Sequence, residues 1–508
     1  MTVRTRLGLE LAVLGVLTLL AYAGLWSAQR ALWLNGLDPS APPAYPRPGA
    51  DVNAGSVEAL QVVLLGLAVC ALFAWLVWRA PRFAAARLGW AATLIPAVVA
   101  VGLFLLPPTL SIDTYSYLSH GYLAASPGSN PYLQPSASVA GTPYGAALLA
   151  QGWQAVHPQT PYGPLWTAVE RIAYVLSGGN VRLGILLIKL PELLAVLGTA
   201  VLIARFLQRF RPERRLRGTL LFLANPLVLV ELVGDGHNDA LMACFLVLAI
   251  VAVARRWAAL AIVALTVAVL VKVNALPFAV PIAVGLVTMR RSTARLLLEA
   301  VPALLGSAAL AVALAAPYWV GPATFDGLRA SGTPLPGWSV AGVLTGLVVP
   351  EAALSGPPTD PARVAAAIPV QLLLTGVLVL AAFAAAVLAR SVPGLVRACA
   401  LVSLVILLLL PLEWPWYATL PAAILPLEAG TVDVAIALVL AAGSRLVAPI
   451  GDAASLGVVG TDSFTNQQAL LGQSLPAAAG LALAIGRQVR EARFAEHTGV
   501  IHQEGPKT

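Results

Sequence analysis

The chain has 508 residues, 59% hydrophobic and 11% charged, with a formal net charge of +8 and a mean hydropathy of +0.84. A soluble protein carries about twice that charged fraction, which excludes an ordinary soluble globule. The basic excess falls in short clusters between apolar runs, the pattern of cytoplasmic membrane loops rather than of a nucleic-acid groove.

In chain order, apolar runs suited to a bilayer occur at 7–27, 57–79, 88–107, 181–206, 216–233, 239–254, 257–271, 273–289, 297–316, 364–389, 394–412, 415–429, 431–449 and 468–487. A span needs about 20 apolar residues. Several runs are shorter, so half-spans or tilted pairs are expected among them. The expected fold is an all-α polytopic integral membrane protein with about 12 to 14 transmembrane helices. It has one transmembrane domain over 1–487 and a polar cytoplasmic tail over 488–508. The runs lack the apolar/polar alternation of a membrane β-barrel. The first, Leu7 to Trp26 after Arg4 and Arg6, is too long for a signal-peptide core and reads as a retained span. Cys70, Cys244 and Cys399 lie within apolar runs, without disulfide or metal-ligand spacing.

Threading the chain alternately through the membrane gathers most basic residues on one side. These include Arg4, Arg6, Arg79, Arg82, Arg87, the arginines from Arg205 to Arg217, Arg255, Arg256, Arg290, Arg291, Arg295, Arg487, Arg490 and Arg493. The positive-inside rule makes that side cytoplasmic and places both termini there. Segment 107–180, the longest stretch between spans, then lies outside, and it has no Lys or Arg before Arg171. Juxtamembrane helices are expected at 112–125, 145–156 and 164–176.

Five segments distant in sequence bring polar and aromatic residues to that outer face. If 113–124 is helical, Asp113, Tyr117 and His120 share a side at i, i+4 and i+7. GDGHNDALM (234–242) supplies Asp235, His237, Asn238 and Asp239, and Lys272 with Asn274 interrupts an apolar run. Trp319, Asp326 and Arg329 follow, and EWPWY (413–417) adds Trp414, Trp416 and Tyr417. Ionisable groups at membrane depth cost several kcal/mol unless compensated, so their convergence points to a pocket. Its acids would bind or deprotonate hydroxyls, and its aromatics would stack on sugar rings. Plainer readings stand beside this one. Asp113 suits a helix cap, as do Asn238 and Asp239. The tryptophans suit an interfacial belt, PYGPLW (161–166) a turn before an interfacial helix, and Lys189 and Lys272 snorkelling. No cofactor is required by the sequence, and a metal shared by Asp113 and Asp239 stays open.

DTYSYLSHGYLAASPGSNPY, TPYGPLW and NPLVLVELVGDGHNDALM, in this order, resemble the actinobacterial polyprenol-phosphomannose-dependent α-1,6-mannosyltransferases, membrane enzymes of the GT-C superfamily. The resemblance runs from Pro107 to Val273, and EWPWYATLP is similar to a later Trp-Tyr motif of related GT-C enzymes. Asp239 stands where members of the family often carry Glu. The resemblance implies transfer of mannose from a polyprenyl-phosphate-mannose lipid to a mannan or lipoglycan acceptor. It also implies an extracytoplasmic site on a bacterial plasma membrane and a single inverting displacement that forms an α-1,6 linkage. Asp113 would be the catalytic base. His237, Lys272 and Arg329 would stabilise the leaving phosphate, and Asn238 and Asp239 would hold sugar hydroxyls. Tyr115, Tyr117, His120, Tyr162, Trp414, Trp416 and Tyr417 would line the substrate pocket. Two alternatives remain: a GT-C transferase using another polyprenyl-phosphate sugar, such as arabinofuranose or glucose, and a lipid-linked sugar flippase, whose polar site would sit near the bilayer midplane.

Overall fold

The computed structural model describes residues 2–35, 52–109, 111–153, 155, 158–290, 292–333, 339–350, 360–411, 414–455 and 470–498. Among them every regular element is helical, apart from an isolated bridge between Val320 and Pro322. Six described helices are long and apolar enough to cross a membrane, or seven if a bent pair counts as one span. This is a polytopic membrane protein.

α1 (Val3–Asn35), α2 (Val52–Ala85) and α3 (Gly89–Leu105) form the first packed group. At one end Glu10 pairs with Arg79 and accepts the Trp75 indole N–H at 3.0 Å. At the other, Trp26 Nε1 and Arg30 Nη1 donate to the Pro107 and Pro108 carbonyls, each at 3.1 Å. The C-terminal third of α1 thus holds the point where α3 gives way to the long loop.

That loop folds into α4 (Asp113–Ala125), α5 (Pro143–Leu149) and α6 (Pro164–Ser177). Thr142 caps α5 by accepting the Gly145 N–H at 3.0 Å, and Pro143 takes the first turn, where its missing N–H costs nothing. α5 ends before the 156 expected, and Gly152 turns the chain at φ +104°. α4 lies so close to α6 that a Cβ on Gly121 would come within 2.3 Å of the Glu170 carbonyl oxygen. Gly178, left-handed at φ +57°, closes α6.

α7 (Val181–Phe210) runs back to the basic end. α8 (Arg215–Leu223) and a π-helical segment, Val228–Gly234, return from it, bent by 54° at Asn225–Pro226. α9 (Asp239–Ala254) and α10 (Ala258–Val271) follow as a hairpin, then a 3-10 turn, Val273–Phe278, and α11 (Ala279–Thr288). By the direction of these helices, Arg87, Arg209, Arg255 and Arg290 fall at one end of the bundle. The 107–180 loop, the 235–238 turn and Lys272 fall at the other.

The C-terminal half holds α12 (Thr293–Ala315), α13 (Asp326–Ser331), α14 (Val340–Val348), α15 (Pro361–Ala386) and α16 (Val392–Leu409). Run 415–429, expected as a span, is not one helix. It is a 3-10 turn (Pro415–Ala418), α17 (Thr419–Ile424) and another 3-10 turn (Leu425–Leu427). Pro421 and Pro426, inside the run, remove backbone donors a continuous helix would need. α18 (Thr431–Ser455) and α19 (Leu475–Thr498) complete the chain. Residues 468–469 of the last expected span and 499–508 of the expected tail lie outside the described residues.

Candidate active site

Asp113 opens α4 without serving as its cap. Ser111 Oγ accepts the Asp113 N–H at 3.1 Å. The Asp113 carboxylate instead faces two phenols, Tyr117 Oη at 3.4 Å and Tyr162 Oη at 3.3 Å, and lies 3.8 Å from His237 Nε2. Tyr117 reaches it from one turn along the same helix, as the i, i+4 spacing predicts. Tyr162 comes from the PYGPLW turn, whose Gly163 N–H donates to Val271 O at 3.0 Å. A Cβ on Gly163 would lie 2.0 Å from Leu270 O, so this close approach needs glycine. Burial, then the neighbouring Tyr162 and Asp113, pushes the Tyr117 phenol well above its ordinary value; burial and Asp113 do the same for Tyr162. Both therefore stay protonated and donate to the carboxylate.

The GDGHND turn docks directly against this stretch. Asp235 Oδ1 accepts the Thr109 N–H at 2.6 Å, and the Thr114 hydroxyl donates to Asp235 O. Gly236 has φ +75°, and a Cβ there would lie 2.8 Å from Lys189 Cγ and 2.9 Å from Thr114 Oγ1. The turn delivers His237, whose Nδ1–H donates to Glu231 O at 2.7 Å while Nε2 accepts from Ser111 Oγ at 3.0 Å. Burial pushes the imidazole below its ordinary value, against the opposing pull of Asp113, Asp235 and Asp239. The neutral Nδ1–H tautomer follows. Neither Asn238 nor Asp239 caps α9. Glu192 on α7 accepts the Leu241 N–H at 3.1 Å instead, which leaves Asp239 to Lys272 Nζ at 2.8 Å. The Asn238 amide is fully buried.

Lys272 sits at the extended break after α10, 4.7 Å from the Tyr417 ring centroid and 5.8 Å from that of Tyr162. Tyr162 thus touches both the acid at 113 and the cation at 272. The EWPWY residues form the facing wall. Trp416 stacks on His237 at 3.9 Å and 17°, and Trp414 stacks on Trp416 at 5.4 Å and 3°. Among the described residues no group of three or more His, Cys, Asp or Glu side chains is placed to hold a metal ion.

Three expected pocket residues stand elsewhere. Tyr115 is fully buried, two residues along α4 from Asp113 and so on another side of the helix. His120 meets Pro158 O at 3.4 Å and Glu170 Oε1 at 3.6 Å, between α4 and α6. Arg329 is held by Asp326 at 2.8 Å on an exposed part of α13.

Residues 19–290 match the family described as alpha-(1->6)-mannopyranosyltransferase, N-terminal domain. The chain belongs to this family. An alpha-(1->6)-mannopyranosyltransferase A of Corynebacterium glutamicum is 28% identical over 238 residues, which is 45% of this chain and 47% of the relative. One from Mycobacterium tuberculosis is 33% identical over 187 residues, 35% of this chain and 34% of the relative. The chain therefore matches about half of the first relative's length and a third of the second's. The family expected from the sequence motifs is borne out. Its matched region carries Asp113, Tyr162, His237, Asp239 and Lys272, but not the Trp414–Tyr417 wall.

Sequence reasoning missed Ser111, Glu192, Glu231, Asp235 as a partner of Thr109, and Arg445. Each is a polar residue within or beside an apolar segment whose partner lies far along the chain. The signal on offer was an isolated charge inside an apolar run, such as Glu231 in VLVELVG or Arg445 in 431–449.

Proposed function

We propose that this chain is a membrane mannosyltransferase. It would move mannose from polyprenyl-phosphate-mannose to a mannan or lipoglycan acceptor, forming an α-1,6 linkage on the extracytoplasmic face. One observation carries the reading. A buried carboxylate, Asp113, accepts from two phenols, His237 is tied to its backbone through Ser111, and one of those phenols also lies beside the buried cation Lys272. Family membership supports the sugar and the linkage. The separation of this cluster from the arginine-rich end supports the extracytoplasmic side.

In this reading Asp113 takes the proton from the acceptor hydroxyl as that oxygen attacks the anomeric carbon. The new C–O bond forms as the bond from carbon to phosphate oxygen breaks, and attack opposite a β-linked donor phosphate gives the α product. The phosphate monoester departs as an anion and needs charge stabilisation more than a proton. Lys272 supplies that charge, exchanging Asp239 for the phosphate. Neutral His237 offers no full charge there and instead holds Asp113 through Ser111, whose Oγ bonds Nε2 and the Asp113 N–H. Asn238 and Asp239 hold sugar hydroxyls, and Trp414, Trp416 and Tyr417 form the wall for the sugar or the first isoprene units. Arg329, exposed on α13 and paired with Asp326, is given no step here.

The test is to incubate membranes containing the chain with polyprenyl-phosphate-mannose and a short α-mannoside, and to map the linkage of the product. An Asp113→Asn variant should lose about 10²- to 10⁴-fold in rate while still inserting. Undiminished Asp113→Asn activity sinks the base assignment. Product from an arabinofuranose or glucose donor but none from the mannose donor sinks the substrate assignment.

A further inference from the structure

Arg445 lies on α18, outside the family-matched region, and is only 2% exposed. From Thr431 at the basic end it stands 14 residues along, about 21 Å at the helical rise, which brings it near the level of the candidate site. Its guanidinium pairs with Glu231 Oε1 in the π-helical segment, and Glu231 is itself 2% exposed. The other carboxylate oxygen of Glu231 lies 3.6 Å from His237 Nδ1, whose N–H is already donated to the Glu231 backbone oxygen at 2.7 Å. On the far side of the same ring, Nε2 accepts from Ser111 Oγ at 3.0 Å, that oxygen accepts the Asp113 N–H at 3.1 Å, and Asp113 Oδ2 lies 3.8 Å from Nε2. Arg445, Glu231, His237, Ser111 and Asp113 therefore form one line from α18 to the head of α4.

A membrane helix does not need an arginine at such a position. A buried ion pair is often no more stable than a well-packed apolar pair, so stability alone gives weak grounds for building one. Its geometry is more telling. The pair ends on the nitrogen of His237 that must carry the proton if the other nitrogen is to accept from Ser111. Around that ring stand Asp113 from α4, Glu231 from the bent segment, Asp235 and Asp239 from its own turn, Lys272 from the break after α10, and Trp416 stacked on its face.

We propose that Arg445 and Glu231 are positioning residues, whose buried ion pair fixes the orientation and tautomer of His237 and thereby aligns the Asp113 carboxylate for proton abstraction. The proposal rests on the reading of Asp113 as the base. It makes α18 a working part of the site, because that helix supplies the charge that keeps Glu231 in register. Arg445 neutralises Glu231 in the resting state, so the histidine is held by an oriented acceptor and not drawn into full protonation.

The test uses the full chain in nanodiscs with Arg445→Met, Glu231→Gln and the double variant. ¹⁵N-histidine spectra follow the tautomer and titration of His237, with His237→Gln giving the assignment. Removing the cation alone leaves Glu231 uncompensated, so His237 should titrate about one pH unit higher. Removing the anion alone should move it down. The double variant, which leaves no buried lone charge, should regain a near-native Tm yet keep kcat at least about 10-fold down, with the acceptor KM little changed. Native kcat in the folded double variant, or His237 signals that move in neither single variant, overturns the proposal. Asp113→Asn is assayed beside these. Activity retained in that variant would fail the base reading alone, since the histidine spectra report the Arg445–Glu231 contact independently of turnover.

Discussion

Lys189 and Glu192 stand one turn apart on α7 and cap helices of opposite polarity. Lys189 Nζ donates to Leu103 O at 2.8 Å and Leu106 O at 2.6 Å, where α3 ends, while Glu192 Oε2 accepts the Leu241 N–H at 3.1 Å, where α9 begins. Each side chain meets a helix end whose backbone groups it can satisfy and lipid cannot. One turn of α7 thereby locks both chain segments that carry the candidate acids, Asp113 after α3 and Asp239 at the start of α9. Substituting Lys189→Met or Glu192→Leu should cost about 1 to 3 kcal/mol, read as a lower Tm in detergent. Glu192→Gln keeps an acceptor for Leu241 and should lose less. Equal losses for the Leu and Gln variants would show that the cap contributes nothing.

The contrast between α7 and α4 explains what the sequence could and could not reveal. Asp113 and Tyr117 are four residues apart, and helical spacing alone brings them together. His120 shares that side in projection but lies about 10 Å further along the axis, so it meets Glu170 of α6 instead. Lys189 with Leu103, and Arg445 with Glu231, are pairings between helices, and no local periodicity specifies which helices will be neighbours. Run 415–429 misled for a different reason. Hydropathy sums side chains and does not register the backbone N–H groups that its prolines lack.

Gly236 should resist substitution more than any other residue of the GDGHND turn. An alanine there must adopt φ +75° and place its Cβ 2.8 Å from Lys189 Cγ and 2.9 Å from Thr114 Oγ1. The backbone term alone costs about 1 to 2 kcal/mol, and the steric term pushes the turn away from α4. Gly236→Ala should therefore lower both Tm and transfer rate, whereas alanine at Gly128, left-handed at φ +76° but with open space around it, should lower Tm and leave the rate unchanged. A Gly236→Ala protein with native rate would mean that the turn can move without disturbing the site.

Glu170 on α6 gives a pH-dependent stability with a defined sign. It is fully buried, and burial pushes its carboxyl well above the ordinary 4.5. The folded state thus prefers the protonated acid, and the stability this contributes is present below 4.5 and lost as pH rises through the folded value. Glu170→Gln removes that dependence. Its Tm advantage over the native chain should grow between pH 5 and pH 8. A Tm lower than native by a constant amount across that range would instead show an ionised Glu170 paired with His120, 3.6 Å away.

Tyr162→Phe separates the two jobs assigned to that phenol. The hydroxyl donates to Asp113 Oδ2 at 3.3 Å, while the ring lies 5.8 Å from Lys272 Nζ. Phenylalanine keeps the ring and removes only the donor. A donor to a carboxylate favours its ionised form, so losing one raises the base's pKa. The acidic limb of the kcat/KM profile should then move to higher pH, and the rate on the plateau should fall about 10-fold. Tyr117→Phe should act in the same direction, and the two together by more than either alone, because both phenols serve the same oxygen. Tyr162→Leu also removes the ring beside Lys272 and should add a rise in the donor KM. An acidic limb that stays in place in Tyr162→Phe, with Asp113→Asn inactive, would mean that the phenol only packs and that His237 and Tyr117 suffice to hold the base.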